Sequence, residues 1–261
     1  MVEERLDRLT VGAGDEAREI AIRAFPGNSP GIFWLGGFKS DMRGTKAEAI
    51  AEYAKKTGRS YMRFDYSGHG ESGGKFEEGT ISRWAEEARA VFERARGPQI
   101  VVGSSMGGWI ALLLARMLAK VPAENASIKG MVLIAPAPDF TEALMWPALS
   151  QDAKREVTEK GFWMRPSAYG DGPYPLTRAL FEDGKKNLLF DKPIETRCPV
   201  RILQGVNDID VPYRHALKLV SCFAQDDVVL TLIKDGDHRL SRPEDLERLV
   251  QAVDELVAEE N

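Results

Sequence analysis

Cysteine is scarce in this chain of 261 residues, which contains only Cys198 and Cys222. Small domains that depend on disulfides carry several cysteines in a short sequence, so two in a chain of this length do not form a disulfide framework. We expect both to be reduced thiols of a cytosolic protein. The sequence therefore excludes a fold that disulfides hold together.

Long hydrophobic runs are absent as well. Residues 109–118 are mostly apolar, but they fall short of the roughly 20 residues that a membrane-spanning helix needs, and they include Arg116. Residues 1–8 are highly charged and lack the apolar segment of a secretory signal. We therefore expect no membrane span, a buried helix at 109–118 and a cytoplasmic location.

No excess of positive charge marks a surface for nucleic acid. The chain has 35 Lys and Arg against 40 Asp and Glu, a net charge of −5, and charges of both signs are mixed along it. Gly36-Gly37 is too sparse for a phosphate-binding loop or a dinucleotide fingerprint. With 43% hydrophobic residues, the chain can bury a sizeable core. A single globular domain with one modest insertion is the expected organisation.

Apolar strand-like runs alternate with helical patterns along most of the chain. This alternation predicts βαβ units, a mostly parallel central sheet and helices on both faces of it. The predicted strands are 20–25, 31–35, 60–66, 99–103, 129–135, 200–204 and 228–233, and the predicted helices are 46–56, 81–96, 107–119, 214–223 and 243–257. The pattern breaks only over residues 139–193. We expect 1–138 and 194–261 to form the core, with 139–193 as an inserted lid.

The strongest motif is Gly103-Ser104-Ser105-Met106-Gly107, which lies between a predicted strand and a predicted helix. A Gly-x-Ser-x-Gly sequence in this context is typical of the nucleophile elbow, a sharp turn that exposes the central serine. The helix N-terminus there favours developing negative charge. Ser105 is the predicted nucleophile, because Ser104 lacks the symmetric spacing of the glycines.

A serine hydroxyl is a weak nucleophile, so it needs an adjacent base. The chain has three histidines. In a nucleophile-elbow hydrolase the order along the chain is serine, acid, histidine, which excludes His69 as the base. His215 lies within an amphipathic helical pattern, where a structural role is expected. His238 follows the last predicted strand and is the predicted base.

The acid is expected in the loop after the preceding strand, where Asp208 and Asp210 both qualify. We favour Asp208, which is nearer the strand end, because Asp210 could cap the helix that begins near Pro212. The acid orients the imidazole and stabilises its charged form. Met106 and Phe38 are predicted to supply the backbone N–H groups of the oxyanion hole.

The insertion is rich in large apolar side chains. We predict that Trp146, Trp163 and Met164 bind a hydrophobic part of the substrate, although packing of the lid onto the core is the alternative for each of them. The wider set of candidates also contains Leu144, Met145, Phe162, Tyr169 and Tyr174. No metal site is predicted, because His69 has no second His or Cys at ligand spacing.

Several longer segments resemble one subfamily of the α/β-hydrolases. They are Gly103-Ser-Ser-Met-Gly-Gly-Trp109, Arg63-Phe-Asp-Tyr-Ser-Gly-His-Gly70, Gly44-Thr-Lys-Ala47, Gly236-Asp-His-Arg239 and the lid motif Gly161-Phe-Trp-Met-Arg-Pro-Ser167. The chain resembles the abhydrolase-domain proteins typified by a mitochondrial palmitoyl-protein thioesterase that also hydrolyses acyl glucuronides. The resemblance implies an α/β-hydrolase fold with Ser105, Asp208 and His238 as the catalytic triad.

The resemblance also implies a reaction. It indicates a serine hydrolase that cleaves an ester or thioester of a hydrophobic acyl group, carried by a small molecule or an acyl-protein, without a metal or organic cofactor. A general carboxylesterase, a C–C hydrolase or a peptidase is the alternative on the same fold, and a non-catalytic binding protein is a further one. The chain begins almost directly at the catalytic domain, so we expect a cytoplasmic rather than a mitochondrial protein.

Overall fold

The computed structural model describes residues 3–166 and 172–259. Within these residues the strands are β1 Arg5–Val11, β2 Arg18–Phe25, β3 Asn28–Leu35, β4 Arg59–Phe64, β5 Gly97–Ser104, β6 Ala126–Ile134, β7 Phe162–Arg165, β8 Tyr174–Thr177, β9 Val200–Gly205 and β10 Val228–Ile233. The α-helices are α1 Thr45–Thr57, α2 Ile81–Phe92, α3 Met106–Lys120, α4 Trp146–Ala148, α5 Gln151–Lys160, α6 Arg178–Lys186, α7 Tyr213–Cys222 and α8 Pro243–Ala258.

Eight strands form one sheet in the order β1-β2-β4-β3-β5-β6-β9-β10. The pairs β1–β2 and β2–β4 are antiparallel, and the pairs from β4 through β10 are parallel. Because parallel strands need crossover connections, the helices lie on the two faces of the sheet. This architecture confirms the predicted α/β class and mostly parallel sheet.

Each face of the sheet carries its own hydrophobic core. On one face α2, α3 and α7 bury side chains such as Trp84 and Trp109, while on the other α1 and α8 bury residues such as Ile50 and Leu249. The central strand β5 is buried along residues 99–104, as expected for a strand that is covered on both faces. The carboxyl ends of the parallel strands therefore lie at one edge of a rigid core.

Strand β1 was not predicted from the sequence. Its residues 5–10 are exposed or half-buried, because β1 is an edge strand that pairs only with β2. Charged residues are common on edge strands, where they discourage pairing with other chains. The charged N-terminal segment therefore gave no apolar pattern from which a strand could be recognised.

Residues 139–193 lie between β6 and β9, and their described part contains the π-helix Thr141–Met145, the α-helices α4, α5 and α6 and the hairpin β7–β8. The buried carboxylate of Asp139 accepts hydrogen bonds from the backbone N–H groups of Leu189 (2.9 Å) and Phe190 (2.9 Å). This contact joins the two ends of the insertion. Helix α6 packs against α2, where Asn187 Nδ2 donates to Ser82 Oγ at 2.7 Å.

Neither cysteine forms a disulfide in the described residues: Cys198 is buried and Cys222 half-buried, each as a free thiol. Burial raises the pKa of the Cys198 thiol to about 11, so it stays protonated at neutral pH. Among the described residues, no helix combines the length and the hydrophobicity that crossing a membrane requires.

Candidate active site

Ser105 stands alone between the end of β5 and the start of α3. Its backbone has φ 55° and ψ −115°, a strained conformation for a residue with a side chain. The flanking glycines are required by close backbone contacts. A Cβ on Gly103 would lie 2.5 Å from the carbonyl oxygen of Gly107, and a Cβ on Gly107 would lie 2.1 Å from that of Leu35. The turn thus has the geometry of a nucleophile elbow.

His238 and Asp208 lie in the loops that follow β10 and β9. His238 Nε2 is 3.1 Å from Ser105 Oγ, and His238 Nδ1 is 2.8 Å from Asp208 Oδ2. Three loops that are distant in sequence therefore form one continuous chain of hydrogen bonds. The loops meet because β5, β9 and β10 run parallel and end at the same edge of the sheet.

The environment of Asp208 suits an ionised carboxylate. Its side chain is fully buried, and its oxygens accept hydrogen bonds from the backbone N–H groups of Asp210 (2.9 Å) and Val211 (2.8 Å) and from Gln204 Nε2 (3.1 Å). Since an ionised carboxylate only accepts, His238 Nδ1 donates to it. The imidazole Nε2 then presents a lone pair to the Ser105 hydroxyl. Asp210 contributes its backbone N–H to this arrangement, and Asp208 Oδ2 is the acceptor at His238 Nδ1.

Asp208, Asp210 and His238 also form the one cluster in the described residues whose donor atoms lie within the reach of a metal ion, at most 4.8 Å apart. Asp208 and His238 are close because a direct hydrogen bond joins them. This bond also uses the ring nitrogen Nδ1, while Nε2 faces Ser105. Asp208 Oδ2 and His238 Nδ1 are therefore already partners of each other.

The loop after β3 lies against the elbow. A Cβ on Gly37 would be 3.5 Å from Ser105 Cβ, and Gly37 and Phe38 line the same cavity as Ser105. The backbone N–H groups of Phe38 and Met106 donate to no acceptor within residues 3–166 and 172–259. The loop that carries Phe38 thus lies at the same cavity as Ser105, and Met106 directly follows the nucleophile in the chain; their role as oxyanion donors stays a prediction.

A cavity of about 430 Å³ opens beside Ser105 and His238. Its lining includes polar residues and residues with charges of both signs. Lys46 Nζ donates to the backbone carbonyl of Arg239, and burial lowers the pKa of Lys46 to about 8. Lys39 Nζ lies 4.3 Å from the centre of the Tyr174 ring. Trp34 is buried, and its indole N–H has no partner among the described residues. The remaining lining residues are Gly37, Phe38, Ser40, Asp41, Gly44, Thr45, Ser104 and Ser241.

The three residues predicted to bind substrate are not among those that line this cavity. Trp146 packs edge-on against Phe181 within the insertion, at 5.1 Å between ring centres. Trp163 pairs with Leu176 in the β7–β8 hairpin, and Met164 is 42% exposed on it. A role of Trp146, Trp163 and Met164 in binding stays a prediction.

Among the described residues of the insertion, Tyr174, from the wider set of candidates, is the one that lines the cavity. Tyr169 lies outside the described residues. Sequence reasoning missed Trp34, Lys39 and Lys46 as cavity residues. Each lies at the carboxyl end of β3 or in the segment that follows it, which is where open α/β sheets bind ligands. That position was the signal that could have identified them.

The other two histidines are buried. His215 Nε2 is 2.8 Å from the carbonyl oxygen of Pro138, and burial lowers the pKa of the imidazole. His69 lies in the loop after β4, and its Nε2 accepts a hydrogen bond from the backbone N–H of Lys39 at 3.1 Å. His215 thus packs as the structural residue that the sequence predicted, and in the described residues the histidine that contacts Ser105 Oγ is His238.

Comparison with known proteins gives results that agree with this geometry. Residues 36–164 match the family model described as serine aminopeptidase, S33. The chain is 35% identical over 240 residues to the human mitochondrial palmitoyl-protein thioesterase ABHD10, with 91% of this chain and 76% of the relative covered. Because that relative is named as mitochondrial, the cytoplasmic location expected from the sequence stays a prediction.

Solved structures are similar over almost the whole chain. A putative hydrolase from Agrobacterium vitis has a TM-score of 0.95 and 49% identity, covering 98% of this chain and 99% of the other. The α/β-hydrolase domain-containing protein 10 from mouse has a TM-score of 0.85 and 33% identity, covering 97% and 98% respectively.

Proposed function

Because this chain belongs to the α/β-hydrolases, in the abhydrolase-domain subfamily of the ABHD10 palmitoyl-protein thioesterases, it is a hydrolase, and we propose that it cleaves a thioester or ester of a hydrophobic acyl group through an acyl-enzyme. In this proposal Ser105 is the nucleophile, His238 the general base and Asp208 the orienting acid. The substrate is a small molecule or an acyl-protein, and the reaction uses no cofactor.

The continuous hydrogen bonding from Ser105 to His238 to Asp208 is the observation that carries the proposal. Ser105 Oγ attacks the acyl carbon as His238 Nε2 takes the hydroxyl proton. The backbone N–H groups of Phe38 and Met106 stabilise the tetrahedral oxyanion. As that intermediate collapses, the carbon–sulfur or carbon–oxygen bond breaks, and His238 gives its proton to the departing thiol or alcohol.

Hydrolysis of the acyl-enzyme repeats the same steps with water. His238 takes a proton from the attacking water, the second tetrahedral intermediate forms, and its collapse breaks the bond to Ser105 Oγ. The proton then returns to the serine. Asp208 stays ionised throughout and stabilises the imidazolium that forms in both halves of the reaction.

We also propose that residues 139–193 act as a lid on a core made of 1–138 and 194–261. The position of Tyr174 supports this, because this residue of the insertion lines the same cavity as Ser105 and His238. A lid that contributes to the cavity wall would contact the acyl group or the leaving group. Substrates that differ in the acyl group or in the leaving group would then differ in KM.

The test is kcat/KM for one long-chain acyl group presented as a thioester and as an oxygen ester. We expect preference for the thioester, because the curated relative is named as a palmitoyl-protein thioesterase. Ser105→Ala should lower either activity by at least about 10³-fold, whereas Ser104→Ala should retain it. A preference for the oxygen ester would favour a carboxylesterase, and activity that survives in Ser105→Ala would refute the proposed nucleophile.

A second candidate substrate is an acyl ester whose leaving group carries a carboxylate, such as an acyl glucuronide. Lys39, Lys46 and the unpartnered indole N–H of Trp34 support it, because all three are donors in the cavity wall. At pH 7, below the Lys46 pKa of about 8, the ammonium form of Lys46 dominates and attracts an anion.

Glucuronyl and glucosyl esters of the same acid separate this candidate from a neutral ester. We expect Lys46→Gln to lower kcat/KM for the glucuronyl ester about tenfold and for the glucosyl ester much less, since a hydrogen bond to a charged group contributes about 1.5–3 kcal/mol. The exposed Lys56→Gln in α1 is the control. Equal losses on both esters would eliminate a carboxylate subsite.

A further inference from the structure

His69 occupies a closed aromatic environment beneath the loop that carries the predicted oxyanion donor. Its side chain is buried and packs edge-on against Tyr66, Phe76 and Trp84, with ring centres 5.3 to 6.0 Å apart. Burial, together with a smaller effect of the positive charge of Lys39, lowers the pKa of His69 to about 4, and the contact with the Ser67 carbonyl opposes this shift only in part. The imidazole is therefore neutral at physiological pH.

The hydrogen bonds of His69 define its tautomer. Nε2 accepts from the backbone N–H of Lys39 at 3.1 Å, and Nδ1 lies 3.1 Å from the carbonyl oxygen of Ser67. A carbonyl oxygen only accepts, so Nδ1 carries the proton and Nε2 carries the lone pair. This neutral tautomer is the one form of the ring that satisfies both contacts at once.

A buried ion pair holds Ser67, whose carbonyl oxygen is the partner of His69 Nδ1. Ser67 donates its backbone N–H to Glu87 Oε2 at 2.9 Å, and Glu87 Oε1 accepts from Arg18 Nε at 2.5 Å. The carbonyl oxygen of Ser67 also accepts from Trp84 Nε1 at 3.2 Å. The imidazole of His69 thus links the core beside α2 to the loop after β3.

That loop has a backbone conformation that needs support. Lys39, immediately after Phe38, has φ 57°, in the left-handed region that is unfavourable for a residue with a side chain. Its N–H belongs to the peptide that begins at the carbonyl of Phe38. The bond to His69 fixes the plane of this peptide, and therefore constrains the direction of the neighbouring Phe38 N–H.

We propose that His69 is a positioning residue for the oxyanion hole: its neutral imidazole accepts the Lys39 N–H and thereby holds the Phe38 N–H toward the oxyanion on Ser105. This inference rests on the proposed function, since it assumes an acyl-transfer reaction at Ser105. It assigns His69 a role in the rate of that reaction, beyond the stability of the turn.

Loss of one oxyanion donor costs roughly 10²–10³-fold in kcat. His69→Leu removes the acceptor of the Lys39 N–H. The oxyanion donor, the N–H of Phe38, is then displaced rather than lost. We expect kcat to fall by about 10- to 100-fold with little change in KM, because the oxyanion exists only beyond the ground state. His69→Gln offers an amide oxygen at a similar reach and should recover part of the loss.

The measurement that a merely structural role would leave unchanged is the inhibition constant of a trifluoromethyl ketone with the acyl chain of the substrate. Its adduct with Ser105 carries an oxyanion, so its inhibition constant should rise in parallel with the fall in kcat across the wild type, His69→Gln and His69→Leu. Leu249→Ala in α8 is the control, because it lowers stability from the opposite face of the sheet without touching the loop.

The outcomes separate the two proposals. Absence of Ser105-dependent turnover in the wild type would refute the proposed function itself. If the wild type is active and the folded His69→Leu variant retains kcat, or loses it without weaker binding of the ketone, then the positioning role is wrong. If His69→Leu does not fold at the assay temperature, His69→Gln decides by the same two measurements.

Discussion

Asp208 and Asp210 stand two residues apart in one loop, yet their surroundings differ. The Asp208 side chain is fully buried and receives hydrogen bonds from His238, Gln204 and two backbone amides, whereas Asp210 is exposed. A carboxylate that accepts from His238 Nδ1 fixes the imidazole tautomer that the proposed base requires. The difference in environment therefore predicts a difference in function.

Asp208→Asn should lower kcat by about 10²- to 10⁴-fold, because an amide can also donate to the imidazole and thereby favour the wrong tautomer. Asp210→Asn, the matched variant in the same loop, should retain most of the activity. Steady-state rates on the preferred acyl substrate give the comparison. A larger loss for Asp210→Asn than for Asp208→Asn would reverse the assignment of the acid.

His69 also makes the stability of the fold depend on pH. Its pKa is about 4 in the folded protein against about 6.5 when exposed, so the unfolded chain binds more protons between these values. Stability contributed by the neutral ring is complete above pH 6.5 and is lost as the pH falls toward 4. Between pH 7 and 4.5 we expect this one group to cost about 2 kcal/mol.

Urea unfolding at pH 7 and at pH 4.5 measures that cost, with His69→Gln as the comparison. The decrease in the free energy of unfolding between the two pH values should be smaller in the variant by about 2 kcal/mol. His215 contributes in the same direction in both proteins, since burial lowers its pKa too. Identical pH dependence in wild type and variant would contradict a neutral, buried His69.

At the scale of elements, a clamp formed by the buried Asp139 carboxylate joins the two ends of the insertion between β6 and β9. Asp139, which has φ 57°, accepts hydrogen bonds from the backbone N–H groups of Leu189 and Phe190. Without this side chain those two N–H groups would lose their partner. The clamp therefore sets where the insertion leaves and rejoins the core, and with it the position of Tyr174 in the cavity wall.

Asp139→Asn keeps a side chain that tolerates the left-handed backbone but removes the charge and one acceptor oxygen. We expect a loss of about 1–3 kcal/mol in the free energy of unfolding and a higher KM, with a smaller effect on kcat. Chemical unfolding and steady-state kinetics provide these values, and the exposed Asp191→Asn is the control. If the variant is destabilised but its KM is unchanged, then the contact of Asp139 with Leu189 and Phe190 does not affect substrate binding.

At the scale of the whole molecule, each face of the sheet packs its own hydrophobic core. The face of α2, α3 and α7 supports the elbow, the loop after β3 and the insertion, while the face of α1 and α8 packs a second core. Leu249 is almost completely buried in that second core. Removing the Leu249 side chain would leave a cavity in that core and lower stability. The cavity would lie across the sheet from α3, the helix that follows Ser105.

Leu249→Ala should therefore lower the free energy of unfolding by about 2–5 kcal/mol, while kcat stays within about twofold at temperatures well below the melting transition. Calorimetry and kinetics on the same preparation test both parts. A large loss of kcat in the folded variant would mean that the second core contributes to the geometry of the site.

Strand and helix positions could be predicted well wherever the apolar pattern was strong. The five predicted helices and seven predicted strands agree with α1–α3, α7 and α8 and with β2–β6, β9 and β10 to within a few residues at each end. The exposed edge strand β1 and the hairpin β7–β8 were missed. The residues of β1 are largely solvent-facing, and β7 and β8 have only four residues each, so no hydrophobic period marks any of the three.

The sequence alone determined the α/β class, the elbow around Ser105 and the order of His238 and its acid, because these depend on local spacing and on a topology that places strand ends together. Only the tertiary structure distinguished Asp208 from Asp210 beside His238, placed Tyr174 rather than Trp163 at the cavity, and brought His69 under the loop after β3. Those relations join residues 30 or more positions apart, and their distances follow from packing that no single segment encodes.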